Sequence, residues 1–225
     1  VPMLIVGFVL DKASTAALFK IATDAQETRA YSHIQAITKS IEHSKNSLMY
    51  LARAVSITNF LASVKTLDEA NISKTKTLLE KEMLRFATTD NSPFSKVRYI
   101  DQTGQEQIRI ELTHKTHTLV AKLNLQDQSS TDYFKQSYNL KAGSIYLSKM
   151  NLNWEHQQIT LPKKPDLRLA TPVFHENGET AGIIILNLNT ESFLQHLGSD
   201  LLVSHDGYFL YQPEADIRWS TPRPG

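Results

Sequence analysis

His114 and His117, three residues apart, come nearest to a metal-ligand spacing in this chain. On a helix they would share a side, but they extend the alternating run that ends in Leu112-Thr113. On a strand, odd spacing sends two side chains to opposite faces. No carboxylate or third histidine stands at ligand spacing from them, so no metal site is expected. His175-Glu176 flanks a turn and Glu155-His156 follows Trp154 in an expected loop, and both pairs read as solvated. Arg98, Arg109 and Arg168 fall on expected strands. A guanidinium there either offers its planar fork to an anion or faces solvent in a surface ion pair. Tyr133, Phe134 and Tyr146 read as core packing or as a pocket wall. The sequon Asn71-Ile72-Ser73 matters only in a secreted eukaryotic protein, which is not expected.

Enzyme signatures do not appear. There is no phosphate-binding glycine loop, no Gly-x-Ser-x-Gly elbow and no His-Glu-x-x-His helix. The region reads as non-catalytic, and no cofactor is expected. With no cysteine, disulfides, thiolate zinc sites and cysteine nucleophiles are all excluded. That composition also suits an oxidising compartment. The 24 basic and 23 acidic residues leave a net charge of +1. With no basic stripe interleaved with aromatics, nucleic acid is not an expected partner. Hydrophobic content of 41% and charged content of 21% over 225 residues are those of a folded domain with a sizeable core.

The elements that must position any site begin with a run from Phe8 to Ser92 that contains neither glycine nor proline. Helix breakers are the strongest punctuation in a chain, so this run predicts one or two long helices over residues 11–92. Ala30, Ile34, Ile37, Ile41, Ser44, Leu48, Leu51 and Val55 recur in alternating steps of four and three. That narrow stripe suits packing on the chain's own sheet or a seam with a second copy. A weaker helical pattern spans about Leu67 to Phe86, with Leu78, Leu79, Met83 and Phe86 on its apolar face. The bend between the two helices is expected at Asn59 to Thr66. Before them, Val1–Leu10 is too short to span a bilayer. It reads as the outer end of a transmembrane helix that starts earlier, or as a buried N-terminal strand or helix end.

From Phe94 the pattern turns to strands. Lys96–Asp101 and Gln107–Leu112 pair as a hairpin around Gly104. Ser130–Leu140 reads as a helix capped by Ser130 or Thr131, and Ala142-Gly143 closes it. Ser144–Met150 and Leu167–Phe174 read as strands, with Pro172 putting part of the second at an edge or bulge. Asn177-Gly178 is the strongest turn. Thr180–Leu188, nearly continuous in apolar residues, is expected as a central strand buried on both faces. Thr190 begins a short helix through Gln195. A last hairpin around His205-Asp206-Gly207 looks like the opening of a second module.

The ordered set Val97-Arg98-Tyr99-Ile100-Asp101 with Gly104, Ser130-Thr131-Asp132-Tyr133-Phe134, Gly143-Ser144-Ile145-Tyr146-Leu147-Ser148, Ala170-Thr171-Pro172-Val173-Phe174, and Gly178 with Gly182-Ile183-Ile184-Ile185-Leu186 resembles the double Cache domains of bacteria. These are PAS-like extracytoplasmic sensors, also called PDC sensors. The resemblance implies an α+β fold with a long N-terminal helix packed along a PAS-like antiparallel sheet. Residues 93–197 would be the membrane-distal sensor module and residues 198–225 the start of a smaller membrane-proximal module. Residues 1–10 would end a transmembrane helix. The implied function is that of a ligand-binding sensor in the periplasm, carried by a receptor of the bacterial inner membrane. Its output would be a histidine kinase or a diguanylate cyclase, and the full-length receptor a homodimer held by flanking transmembrane helices. By position, the resemblance points to Arg98, Tyr99, Tyr133, Tyr146, Arg168 and Thr171 as ligand-binding residues. This sequence lacks a clear version of the family's amino-acid-binding signature, so other small anions or organic acids are the open ligand class. A module that reads a periplasmic binding protein instead of a small ligand is the alternative.

Overall fold

The computed structural model describes residues 2–90, 92–113, 115–152, 154–155, 158–159, 165–190, 194, 197, 202–203 and 209–211, with side chains from Ser14 on except in 154–155, 158–159 and 209–211. The chain divides into two compact units, residues 1–41 and 42–225. Its N-terminal part, free of helix breakers from Phe8 to Ser92, forms three helices: α1 (Pro2–Ala52), α2 (Val55–Thr66) and α3 (Glu69–Ala87). The expected membrane segment Val1–Leu10 falls among residues whose side chains lie outside the described set. From Ser14 on, no single described helix is long and apolar enough to cross a membrane.

The bend expected at Asn59–Thr66 lies instead at Arg53–Ala54, where Ala54 is extended and α2 then runs through to Thr66. The heptad-like stripe explains the difference. Ser44, Leu48 and Leu51 are buried in the second unit, but Val55, next on the stripe, is 73% exposed. The next buried side chains are Ala54, Ile57, Phe60 and Leu61. The buried face changes phase, and the backbone breaks where it does. In the first unit the same stripe leaves Ala30 and Ile34 exposed. A tight turn joins α2 to α3. Leu67 takes a left-handed conformation (φ 55°), and the Asp68 carboxylate caps α3 by accepting from the backbone N–H groups of Ala70 (3.1 Å) and Asn71 (3.3 Å).

An antiparallel sheet follows. It contains β1 (Phe94–Asp101), β2 (Glu106–Thr113), β3 (Thr116–Leu119), β4 (Tyr146–Leu147), β5 (Asn151–Leu152), β8 (Pro165–Phe174) and β9 (Thr180–Asn189). The strand order is β3-β2-β1-β9-β8-β4, with β5 also paired to β8. Two short ribbons lie outside it, β6 (Trp154–Glu155) with β7 (Gln158–Ile159), and β10 (Leu202–Val203) with β11 (Phe209–Tyr211). The second ribbon is the hairpin expected at the chain's end, and the turn residues His205-Asp206-Gly207 lie outside the described residues. Most of the short helix expected at Thr190–Gln195 lies outside them too. As the apolar run predicts, β9 is central, between β1 and β8, and every residue from Ala181 to Leu188 is buried. β4 reaches only Leu169 and Ala170 on β8, so Pro172 lies beyond that pairing.

The two faces of the sheet are covered by different helices. Val97, Tyr99, Leu169, Ile184 and Leu186 share one face by their register. There the Phe60 ring of α2 meets Tyr99 edge-on at 5.8 Å, and Phe86 of α3 stacks on Phe94 at 5.3 Å. The other face carries Ile100, Ala170, Ile183 and Ile185, packed with Phe134 of the short helix α4 (Asp132–Tyr138) and with Tyr133, Tyr138 and Tyr146. The architecture is α+β, a long N-terminal helix and a PAS-like antiparallel sheet.

Gly182 is where the sheet admits no side chain. Its φ is +149°, and a Cβ there would strike the carbonyl of Ile100 and come within 2.9 Å of Asp101 Cα. Gly182→Ala is expected to cost about 2–4 kcal/mol, read by urea denaturation, because two central strands must part to accommodate it. A loss below about 0.5 kcal/mol, the size of an ordinary surface change, would contradict this packing.

Candidate functional site

The α4-covered face of the sheet holds a group of buried charged and polar side chains. Lys96 and Arg98 come from β1, Glu106 and Arg109 from β2, Asp166 and Arg168 from β8, and Asn187 from β9, all buried. Alternation and register bring them to one side, with one exception that the backbone corrects. Counting back from Ile108, Glu106 would face the helix layer. The register between β1 and β2 slips so that Tyr99 pairs with Ile108 and Ile100 pairs with Glu106. This bulge at Gln107 turns the Glu106 carboxylate to the same side as Arg98.

Glu106 then serves as a hub. Its Oε1 accepts from Arg98 Nη1 at 3.2 Å and Gln128 Nε2 at 3.4 Å, and its Oε2 accepts from Arg109 Nη1 at 3.2 Å and the Gln126 backbone at 3.0 Å. Arg98 Nη1 also donates to the Tyr133 hydroxyl (3.2 Å), and Nη2 donates to Asn187 Oδ1 (2.9 Å). The Asn187 amide passes the network on, with Nδ2 donating to both oxygens of Asp166 at 2.8 and 2.9 Å. Asp166 pairs with Arg168 Nη2 at 2.5 Å, and Arg168 Nη1 donates to Asn151 Oδ1 at 3.0 Å. One connected network thus runs across β2, β1, β9, β8 and β5. Burial works against the charge on Arg98, but Tyr133, Glu106 and Asp166 more than offset it and hold its proton more tightly than that of a free guanidinium.

Tyr133 stands at the centre of the site. The guanidinium carbons of Arg98 and Arg168 lie 5.4 and 5.3 Å from its ring centroid. These are cation–π distances. Its hydroxyl donates to Gln128 Oε1 at 2.7 Å. Tyr146 packs against the adjoining apolar cluster. Burial raises the pKa of its hydroxyl, with Arg168 opposing and Asp132 adding to the shift.

Of the six residues expected from sequence, the structure therefore brings four together on this face, Arg98, Tyr133, Tyr146 and Arg168. Tyr99 and Thr171 belong to the other face. Tyr99 lies against Phe60 and donates to the Ala181 carbonyl at 3.1 Å, and burial followed by Asp101 raises its pKa. Thr171 pairs in register with Ile184 and donates to the Ser144 carbonyl at 2.8 Å. The reason is parity, since Tyr99 is one residue from Arg98 and Thr171 three from Arg168. Sequence reasoning missed Glu106, Asp166 and Asn187. Asn187 carried a usable signal as the one side chain with strong hydrogen-bonding groups between Ala181 and Leu188, because a polar group buried on both sides needs partners.

His114 lies outside the described residues. His117 meets the Phe94 carbonyl through Nε2 at 2.7 Å. Among the described residues, no group of three histidine or carboxylate side chains is placed to hold a metal ion. His175 lines a pocket of about 120 Å³ with Thr58, Leu61, Ala62, Lys65, Phe174 and Glu176. Burial and then Lys65 lower its pKa from 6.5, with Glu179 opposing. A depressed histidine contributes stability that is present above its unfolded pKa and lost as pH falls through the folded value. Melting temperature should therefore drop more in the wild type than in His175→Gln between pH 6.5 and about pH 5. Parallel curves for the two proteins would refute this.

The model of the family described as the bacterial histidine kinase sensor domain matches residues 20–219. Among solved structures, the chain is similar to a domain of a sensory box/GGDEF family protein from Vibrio parahaemolyticus, at 24% identity and a TM-score of 0.65, over 83% of this chain and 67% of that one. It is similar to the extracellular domain of the histidine kinase vpHK1S-Z8 at 23% identity and a TM-score of 0.65, over 83% and 64%. It is also similar to the ligand-binding domain of the Pseudomonas aeruginosa PAO1 amino acid chemoreceptor PctC, solved with GABA, at 18% identity and a TM-score of 0.54, over 84% and 74%. These likenesses concern the fold. The chain spans about two thirds of the first two structures. No curated protein matches it.

Proposed function

This chain belongs to the family of bacterial histidine kinase sensor domains, and on that footing we propose that it binds a small organic anion between the sheet and α4. The anion would be held by Arg98 and Arg168 beside Tyr133, with Tyr146 as an apolar wall. The single observation behind this reading is that both guanidiniums, 5% and 8% exposed, converge on one tyrosine ring. Each also keeps a buried Nε–H with no hydrogen-bond partner among the described residues. Buried donors are rarely left unsatisfied, and an anion over Tyr133 would satisfy these.

In this reading the region itself is non-catalytic. It lies in the periplasm, in a receptor of the inner membrane whose output is a kinase, with a diguanylate cyclase as the alternative. Membrane-spanning helices flank it, and Val1–Leu10 ends the first. Residues 93–197 form the sensing module and 198–225 open a membrane-proximal one. The receptor is a homodimer, which the bare stripe at Ala30 and Ile34 suits. Binding acts by differential affinity for two arrangements of β8 and β9, and couplings of about 1–3 kcal/mol are usual for such linkage. The test is thermal. A ligand should raise the melting temperature of the wild type, and Arg168→Ala or Tyr146→Ala should abolish the rise.

A further inference from the structure

We infer that the ligand carries acceptors only, a carboxylate or similar anion without an ammonium group, and that Asn187 sets this preference. The inference rests on the reading that a small ligand occupies the α4-covered face. It follows from matching donors to acceptors there. A guanidinium has five N–H donors. Arg98 uses three, on Glu106, Tyr133 and Asn187, and Arg168 uses two, on Asn151 and Asp166. The unused donors include both buried Nε–H groups. Acceptors are scarce by comparison. A carboxylate offers about four lone-pair sites. Those of Glu106 are taken by Arg98, Gln128, Arg109 and the Gln126 backbone. Three of those of Asp166 are taken, one by Arg168 and two by the Asn187 amide, which donates to both oxygens.

A ligand carboxylate would find donors waiting. A ligand ammonium, with three donors and no acceptor, would find both buried carboxylates of this network engaged. Asn187 does most to arrange this. It is 1% exposed, and its carbonyl end accepts from Arg98 while its amino end occupies Asp166. It is a positioning residue that holds Asp166 away from any ligand.

The experiment compares three probes with one carbon skeleton: sodium propionate, alanine, which adds an ammonium, and propionamide, which removes the charge. Melting temperatures of the chain are recorded against each at matched ionic strength, for the wild type, Arg168→Ala and Asn187→Ala. Propionate should stabilise the wild type at concentrations at least about tenfold below those needed with alanine or propionamide, since an unpaired ammonium or a lost charge is penalised in a buried site. Arg168→Ala should remove the response. Asn187→Ala, by releasing Asp166, should narrow the gap between propionate and alanine. Alanine stabilising the wild type as well as propionate does, through Arg168, would overturn the inference and leave the ligand-binding reading standing. A flat wild-type response to all three probes would overturn both. The wild-type comparison decides the matter even if Asn187→Ala does not fold.

Discussion

Replacing Glu106 with alanine should cost the fold about 3–5 kcal/mol, among the largest single effects available in this chain. The carboxylate has no exposed surface and accepts four hydrogen bonds, from Arg98, Arg109, Gln126 and Gln128. Its removal leaves Arg98 buried without a bonded carboxylate, and an uncompensated buried charge is far costlier than a lost contact. Two controls separate charge from packing. Glu106→Gln keeps an acceptor and should lose less. Glu106→Leu combined with Arg98→Met removes these two charges and should recover part of the loss, since apolar replacements of a buried pair are often near neutral while Arg109 loses Glu106 and keeps Glu111, at 3.7 Å, as a carboxylate partner. Urea denaturation reads all three. A cost under about 1 kcal/mol for Glu106→Ala, the level of a surface pair, would mean that water reaches this network freely.

The second large effect is on ligand response. At a ligand concentration of about 100 times Kd, binding stabilises a domain by about 2.7 kcal/mol, which for this size raises the melting temperature by roughly 5–10 °C. Arg168→Ala should reduce that rise to nothing. It removes a donor fork whose Nε is buried and unpartnered among the described residues and whose guanidinium lies over Tyr133. The variant will itself be less stable, because Asp166 loses its cation. The quantity to read is therefore the difference with and without ligand in each protein. Tyr146→Ala should act the same way by removing the apolar wall, whereas Tyr146→Phe should keep most of the response. A full response in Arg168→Ala would place the ligand elsewhere.

Much of the scaffold was legible in the sequence because local signals and tertiary demands agree. The hairpin around Gly104, the turn at Asn177-Gly178, the central strand and α4 all follow from turn chemistry and periodicity. The break at Arg53–Ala54 was not legible, since no breaker marks it. It comes from a change of buried face that only the sheet imposes. In the site, four of six expected residues share a face, and the two that do not, Tyr99 and Thr171, were separable by strand parity alone. Glu106 could not be read this way. Its orientation depends on a one-residue bulge, and sequence alternation gives the opposite face. Asp166 was only half legible, because alternation along β8 puts it on the same face as Arg168 two residues on, whereas Asn187 on β9 comes within its reach only through register.

The most direct test of the anion site is to watch the two guanidiniums themselves. In a heteronuclear NMR titration of the chain with a small organic anion that raises its melting temperature, the Nε–H resonances of Arg98 and Arg168 should shift together and saturate at the same concentration as that stabilisation. An anion that stabilises the chain while both resonances stay still would contradict the account.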